Sequence, residues 1–422
     1  MALKKKPTTG MRDILPNEME IREYVLSVIR DTYSSFGFSQ IDTPAVEPIE
    51  NLTGGHGGEN EKLIFKILKR GQKLNLETAR DESDLVDGGL RFDLTIPLVR
   101  YYSNNQAELP SPFKAMQLGN VWRADRPQRG RFRQFMQCDI DVLGEASNLA
   151  EIELILAMST VLGRLDFKKY TIRINDRRIL KGIAKYCSFP EDKYDDVFIV
   201  LDKMDKIGLD GVREELIESG YDAGSVEKCM EIFASDEING DRADSVSALE
   251  KLAKKLGESL EEGVLDNLTE IISVTTGTGN AELNVRFDPT LVRGMSYYTG
   301  PIFEISMDEY GGSVGGGGRY DTMVGRFLGQ DTPACGFSIG FERIAMLLME
   351  REYKIPSKSE KVAFLLEKKC SPEQVRETIE KANALRKEGK RVSVMRMKKN
   401  KKFQKEQLEA EGYTAIEEVF GK

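Results

Sequence analysis

The chain has 422 residues, enough for two or three domains, with 40% hydrophobic and 31% charged residues and a formal net charge of -8. That composition describes a soluble globular protein, and no run of about 18 or more uncharged apolar residues predicts a membrane span. The opening Met-Ala-Leu-Lys-Lys-Lys-Pro has no apolar core behind its charges and does not read as a secretory signal.

In chain order, Asn17-Glu18-Met19-Glu20 fits a capping box, and Ile21, Tyr24, Val25, Val28, Ile29 and Phe36 follow at helical spacing. Gly37 ends that helix, and Ser39 to Thr43 reads as a short strand before Pro44. Leu63 to Leu68 and Lys73 to Leu76 read as strands. Met116 to Trp122 and Phe132 to Leu143 form a long hairpin, with Pro127 and Gly130 in the connection. A second amphipathic helix covers about Ala150 to Leu162. This is an antiparallel sheet with helices, an α+β pattern.

From about Asn175 to Ser273 charged helical segments dominate, such as Val212 to Glu218, Val226 to Ala234 and Val246 to Leu256, and predict a helical insertion. Strand signals return at Glu282 to Phe287 and Pro301 to Met307. Gly311 to Gly318 is glycine-rich, Tyr320 to Phe327 reads as helical, and Ile339 to Glu350 as a helix. Tyr353 to Glu360 looks like a linker. Beyond it come strand Val362 to Leu366, a capping box at Ser371-Pro372-Glu373-Gln374, and a helix stopping at Gly389. Strand Val392 to Met397, a helix near Phe403 to Ala410, and strand Thr414 to Val419 complete a β-α-β-α-β order that predicts a small parallel sheet.

Two residue types narrow the chemistry. Cys138, Cys187, Cys229, Cys335 and Cys370 are scattered, odd in number and without zinc-ligand spacing, as in reduced intracellular thiols, so no metal site is expected. His56 is the single histidine, in the loop-like Gly54-Gly55-His56-Gly57-Gly58; that excludes multi-histidine centres and H-E-x-x-H sites. The chain also lacks a G-x-x-x-x-G-K-[ST] loop and a G-x-G-x-x-G turn. Against this background Arg123, Arg126, Arg129, Arg131 and Arg133 crowd into eleven positions of an acidic protein. Arginine presents a planar, always-charged fork suited to phosphate and carboxylate oxygens, so the hairpin reads as a polyanion site.

The hairpin residues carry a resemblance. Val121-Trp122-Arg123-Ala124-Asp125, the basic tip, and Arg131-Phe132-Arg133-Gln134-Phe135 resemble motif 2 of the class II aminoacyl-tRNA synthetases. Phe38 to Glu47 resembles motif 1, and Gly336-Phe337-Ser338-Ile339-Gly340-Phe341-Glu342-Arg343 resembles motif 3. The three motifs stand in the family's order. Arg293-Gly294-Met295-Ser296-Tyr297-Tyr298 and Gly317-Gly318-Arg319-Tyr320-Asp321 resemble the two histidine signatures of the histidyl-tRNA synthetase family. Leu90 to Thr95 resembles its ammonium-binding strand, Gly10-Met11-Arg12-Asp13 its N-terminal signature, and Asn175-Asp176-Arg177-Arg178 the opening of its insertion. The resemblance covers roughly residues 7 to 350.

It implies a class II antiparallel sheet flanked by helices, divided into a catalytic domain (1–174 and 274–352), a helical insertion (175–273) and a small anticodon-binding-like α/β module (361–422). It implies a cytoplasmic homodimer, without a membrane anchor, that uses histidine, ATP with Mg2+, and tRNA. Among site residues, the resemblance places Arg123 on the α-phosphate and Arg343 on the outer phosphates. Arg131 contacts the triphosphate, Asp125 joins the ATP site and Phe135 stacks on adenine. Arg293 stands where other class II enzymes use a metal ion. Asp93 and Thr95 offer oxygens to the α-ammonium, Gln137 and Asp141 line the amino-acid pocket, and Tyr297 and Tyr298 close on the ring. A site built to hydrogen-bond imidazole can reject analogues lacking those groups by roughly 10⁴–10⁵, so no editing domain is expected. Arg126 and Gln128 face the tRNA acceptor end, or make plain phosphate contacts or meet solvent. Lys398, Lys399, Lys401 and Lys402 lie in Lys390 to Lys405, which holds eight basic residues and no acid. Such a stretch tracks an RNA backbone or is a solvated charged face.

Two departures stand out. Met295-Ser296 replaces the usual Leu-Asp, removing a carboxylate beside the pocket. The C-terminal module ends where the resemblance would add another helix and edge strand. A non-charging paralogue, such as the regulatory subunit of ATP phosphoribosyltransferase, or an adenylate-forming enzyme with another acceptor, is the competing expectation.

Overall fold

A computed structural model describes residues 3–53, 62–239, 244–278, 283–292, 297–356 and 359–421. The chain gathers into two compact units, one of residues 1–13 with 25–348 and one of 14–24 with 349–422.

The strands of the first unit are β1 (Ser39–Gln40), β2 (Val46–Pro48), β3 (Lys66–Leu68), β4 (Val86–Leu90), β5 (Phe113–Trp122), β6 (Gln134–Leu143), β7 (Tyr170–Asp176), β8 (Val285–Phe287), β9 (Pro301–Met307), β10 (Gly312–Arg319) and β11 (Ala334–Ile339). Eight of them form one sheet in the order β1-β5-β6-β11-β10-β9-β7-β8, and β2-β4-β3 form a second. Pairing in the large sheet is antiparallel except at its two ends, where β1 joins β5 and β8 joins β7 in parallel. The expected α+β class is therefore the observed one.

The helix Pro16–Ser35 ends as Gly37 takes a left-handed φ of 82°, a conformation costly for any residue with a Cβ. The helix Leu149–Arg164 buries Leu154, Ile155, Met158, Val161 and Leu162, as its period demands. It also buries Glu151 completely. Arg319 of β10 answers that charge with a bidentate pair, Nε to Oε1 at 2.6 Å and a terminal nitrogen to Oε2 at 2.8 Å. Desolvation consumes much of the gain from such a pair, so its effect is mainly to hold helix and sheet in one register.

After β7 the described residues up to β8 are mainly helical, with Arg177–Tyr186, Tyr194–Leu201, Met204–Glu218, Ala223–Phe233, Ser245–Leu256 and Val264–Gly277 as the longer helices. Three of these start on aspartate caps: Asp176, Asp222 and Asp244 accept from the backbone N–H of Arg178, Ser225 and Ser247.

Several local expectations were wrong. Lys73 to Leu76 is not a strand: Gly71–Lys73 is a 3-10 turn, and the Asn75 side chain accepts from the N–H groups of Glu77 and Thr78. That local bond competes with strand pairing. The segment from Leu90 to Thr95 leaves β4 and turns into the helix Thr95–Asn105, which hydrophobic period alone did not reveal. Pro97 fits in its first turn, where backbone N–H groups lack intrahelical partners anyway. The glycine-rich segment is strand β10. A Cβ at Gly317 would lie 1.9 Å from the Gly336 carbonyl oxygen, so glycine there is a packing requirement. The helix placed at Ile339 begins at Phe341, because Ile339 closes β11. His56 and Arg293 to Ser296 lie outside the described residues.

In the second unit β12 (Lys361–Leu366), β13 (Arg391–Arg396) and β14 (Ala415–Val419) form the expected parallel sheet, in the order β13-β12-β14. Val362, Phe364 and Leu366 pack to one side of β12, and Ala363 and Leu365 pack with Leu408 on the other. The Ser371 capping box is formed, with Gln374 N–H on Ser371 Oγ at 3.3 Å and Ser371 N–H on Gln374 Oε1 at 3.0 Å.

Gly317→Ala must push β10 and β11 apart, because the obstruction is backbone. We expect a loss of about 3 kcal/mol or more, read as a fall in Tm and in the urea midpoint; a wild-type-like Tm would show that the strands separate freely.

Candidate active site

The large sheet carries a cavity of about 730 Å³. Its layout follows from the β5–β6 ladder, which pairs ten residues from Phe113↔Leu143 to Trp122↔Gln134. Alternate residues of a strand share a face, so Phe135, Gln137, Asp139 and Asp141 stand in one row on β6, and all four line the cavity. Arg123 follows the last residue of β5, where its N–H still donates to the Arg133 carbonyl at 2.9 Å. Its Nε donates to the Phe92 carbonyl at 2.8 Å, and its guanidinium lies 5.2 Å from the Phe135 ring centre.

The floor is glycine. Gly315, Gly316 and Gly317 of β10 and Gly336 of β11 line the cavity. A Cβ at Gly336 would lie 1.9 Å from Asp141 Oδ1, so the row of side chains on β6 depends on a bare backbone beside it.

One end of the cavity is acidic. Asp93, Asp139 and Asp141 are each 4% exposed or less. Burial pushes the Asp93 carboxyl up to about 6, although Arg123 and the nearby backbone N–H groups oppose it. Burial pushes Asp139 up to about 7, against hydrogen bonds from Ser338 and Gln137, with the charge of Asp93 adding to the rise. Asp141 is raised well above the usual carboxylate range by burial and by Asp139; the Tyr320 hydroxyl donates to its Oδ1 at 2.6 Å. Asp93 Oδ1 accepts from Ile96 N–H at 3.2 Å, while Asp93 Oδ2 and Gln137 Oε1 are buried acceptors with no partner. Buried polar atoms are seldom left so. Both are acceptors open to a donor that enters the cavity. Tyr297 and Tyr298 pack at 4.6 Å between ring centres, and Tyr297 meets Tyr320 edge-on at 6.2 Å, walling this end with aromatic surface.

The other end is basic. Arg343 lies in the first turn of the helix Phe341–Glu350, donates to the Ser313 carbonyl and lies over the Tyr310 ring at 5.3 Å. Neighbouring Glu342 accepts from Met136 N–H at 3.0 Å and from Arg12 at 3.5 Å, which ties that helix to β6. Arg131 lines the cavity from the hairpin tip, where Gln128 and Arg131 exchange backbone hydrogen bonds at 3.1 and 2.9 Å. The Tyr310 hydroxyl donates to the Arg129 carbonyl at 3.3 Å and anchors the tip.

The cavity thus brings together Asp93, Thr95, Arg123, Asp125, Arg131, Phe135, Gln137, Asp141, Tyr297, Tyr298 and Arg343. Arg126 and Gln128 are exposed on the tip instead. Lys398, Lys399, Lys401 and Lys402 belong to the second unit. There Lys398 and Lys399 are exposed, whereas Lys401 pairs with Glu418 at 2.6 Å and Lys402 reaches Glu406 at 4.0 Å. The sequence reading placed Tyr320 in a histidine signature and Ser338 in motif 3 without giving either a task, and it missed Asp139. Asp139 was discoverable from its place two residues from both Gln137 and Asp141. Among the described residues no group of three or more histidine, cysteine or acidic side chains could hold a metal, and no helix is long and apolar enough to cross a membrane.

The chain is similar to known proteins over most of its length. The family described as histidyl-tRNA synthetase matches residues 10–344. The histidine–tRNA ligase of Leifsonia xyli subsp. xyli is 47% identical over 82% of this chain and 81% of its own length. That of Christiangramia forsetii is 37% identical over 83% and 78%. Among solved structures, histidyl-tRNA synthetase from Nostoc sp. PCC 7120 superposes with a TM-score of 0.78 at 27% identity, covering 97% of this chain and 90% of that one. An ATP phosphoribosyltransferase regulatory subunit/histidyl-tRNA synthetase from Bacillus halodurans C reaches 0.77 at 21% identity over the full length of both, a likeness of fold alone.

The raised carboxyls make stability depend on pH. A carboxyl whose folded pKa is raised costs nothing when protonated in both states; its penalty grows above the unfolded value and is complete above the folded one. Asp93→Asn keeps an acceptor for Ile96 and removes a charge whose folded pKa is about 6. The unliganded variant should melt higher than wild type at about pH 8, by a margin that narrows toward about pH 5. A margin independent of pH would mean that Asp93 is not ionising in the cavity.

Proposed function

The chain belongs to the histidyl-tRNA synthetase family, and we infer that it is a histidine–tRNA ligase: it joins histidine to ATP as histidyl-adenylate, releasing pyrophosphate, and transfers histidine to the 3′ end of its tRNA. The observation that carries the reading is the two-ended cavity, with buried aspartates at one end, Arg131 and Arg343 at the other and Arg123 between them, joined by the single face of β6. The ligase relatives are 37% to 47% identical over most of the chain. That favours the ligase over the non-charging alternative.

The chemistry follows from the charges. The carboxylate of histidine attacks the α-phosphorus of ATP, and two negative groups must approach while more negative charge develops. Cations fixed beforehand on the α-phosphate lower both costs. Arg123 suits that task because its Nε is tethered to the Phe92 carbonyl. Arg343 and Arg131 take the outer phosphates of the ATP–Mg2+ substrate, Asp125 sits beside them, and Phe135 takes the adenine. Arg293 is assigned to the same reaction by resemblance alone. Asp93 and Thr95 receive the α-ammonium, Gln137 and Asp141 complete the amino-acid pocket, and Tyr297 and Tyr298 cover it.

For tRNA, Arg126 and Gln128 meet the acceptor end from the exposed tip. The RNA backbone falls to the basic stretch of the second unit, above all to the exposed Lys398, Lys399 and Lys402, since Lys401 is engaged with Glu418. The resemblance of Phe38 to Glu47 to motif 1 supports a homodimer, and the bacterial ligase relatives support a cytoplasmic setting.

Histidine-dependent ATP–pyrophosphate exchange tests the first half-reaction, and its absence overturns the reading; exchange without charging would point to another acceptor. Arg123→Ala should lower exchange by roughly 10²–10³, as loss of one preorganised donor does. Lys398→Ala with Lys399→Ala should leave exchange intact and weaken tRNA charging. The salt dependence of tRNA binding should become shallower by about one unit of slope for each phosphate that the pair no longer neutralises. An unchanged slope would make the stretch a solvated face.

A further inference from the structure

The functional reading leaves one buried carboxylate of the cavity without a task. Asp139 stands between Gln137 and Asp141 on the same face of β6 and is 4% exposed. The Gln137 amide nitrogen lies 3.1 Å from Asp139 Oδ2 and 3.4 Å from Ser338 Oγ on the neighbouring strand β11. An ionised carboxylate only accepts hydrogen bonds, so it must face the NH2 end of the amide. The carbonyl end, Gln137 Oε1, is thereby turned away and is buried without a partner, as is Asp93 Oδ2 in the same cavity.

We propose that Asp139 is a positioning residue that orients the Gln137 amide, so that Gln137 Oε1 joins Asp93 Oδ2 as an acceptor for the substrate's α-ammonium. The proposal rests on the reading of the cavity as an amino-acid site. An amide can rotate to offer either end, and its NH2 end would oppose a cation. Only a neighbour that refuses the carbonyl end makes the choice, and a neutral neighbour does not refuse it. The groups facing Asp139 are Ser338 on β11, Asp141 and Gln137 on its own strand, Gln117 opposite it on β5, Asp93, Arg123, the buried Arg91 and the Tyr33 hydroxyl. Gln117 is committed elsewhere, donating to the Leu94 carbonyl at 2.9 Å and accepting from Thr43 at 3.3 Å. With burial holding the Asp139 carboxyl up to about 7, its proton returns within an accessible range. Once protonated, the carboxyl can donate to Gln137 Oε1, and both amide orientations become available.

The test compares KM for histidine, KM for ATP and kcat in pyrophosphate exchange for wild type and Asp139→Asn, from about pH 6 to about pH 8.5. Asp139→Asn offers an NH2 where wild type offers only acceptors. At about pH 8 it should raise KM for histidine by about tenfold, the effect of one charge-assisted bond, with kcat and KM for ATP little changed. The ratio of variant to wild type should fall toward one as pH drops through about 7, because wild type then loses its own carboxylate. Titration of the substrate's imidazole affects both proteins alike and cancels in that ratio. In a Gln137→Leu background, Asp139→Asn should add nothing to KM for histidine, since it acts through the amide.

An unchanged KM, a ratio independent of pH, or an undiminished effect in the Gln137→Leu background would each overturn the proposal. Should Asp139→Asn fail to fold, Gln137→Leu alone decides: it must flatten the same limb of the KM profile near pH 7 relative to wild type, and retention of the limb overturns the proposal. No histidine-dependent exchange by wild type would instead sink the reading of the site, a separate outcome.

Discussion

The register of the β5–β6 ladder is the constraint on which the rest of the site depends. Ten paired residues place Arg123 at the end of one strand and put Phe135, Gln137, Asp139 and Asp141 in a row on the other. A slip of one residue would turn that whole row to the opposite face of the sheet. The next strand must then come close without obstructing the row, and Gly336, opposite Asp141, is the residue that lets it. Gly317 extends the same requirement to β10. A sheet built this way has little tolerance for side chains on its floor, which is why glycine recurs along β10 and stands at Gly336 of β11 despite its weak strand preference.

That sheet holds three carboxylates in a place that disfavours their charge. Burial raises Asp93, Asp139 and Asp141, and Arg123 and the Tyr320 hydroxyl offset this in part. Such a cluster is unfavourable for the empty protein and favourable for a cation that enters it. The unpartnered acceptors Asp93 Oδ2 and Gln137 Oε1 belong to the same design, since a site whose hydrogen bonds are already made among its own residues has none left for a ligand. At the other end Arg343 gives a donor to the Ser313 carbonyl, and between the two ends Arg123 gives one to the Phe92 carbonyl; each bond holds a guanidinium in place.

The second unit follows different rules. Its parallel sheet is covered on both faces by apolar side chains, and the Lys390 to Lys405 stretch holds eight basic residues and no acid. Exposed ion pairs such as Lys401 with Glu418 contribute little to stability.

Local patterns carried much of this protein. The hairpin, the helix before Gly37, the Ser371 capping box and the β-α-β-α-β order each follow from spacing and turn chemistry that neighbouring residues enforce on one another. The ordered arginines and tyrosines named the family because their chemistry is specific as a set. Tertiary packing decided the remainder. Strand β10 could not be read from eight residues that include five glycines, because the reason for glycine is the Gly336 carbonyl, on a strand that pairs from elsewhere in the chain. The helix after Asp93 was hidden by Pro97, which a first turn accepts and an interior would not. Asp139 looked like one more acid on a strand until burial, Ser338 and the Gln137 amide gave it a specific neighbourhood. Sequence by itself determined which groups the protein could bring to a reaction, since residue chemistry is local. Which of them meet, which are left unpartnered and which charges are shifted was decided only by the fold, because distance and burial belong to pairs of residues far apart in the chain.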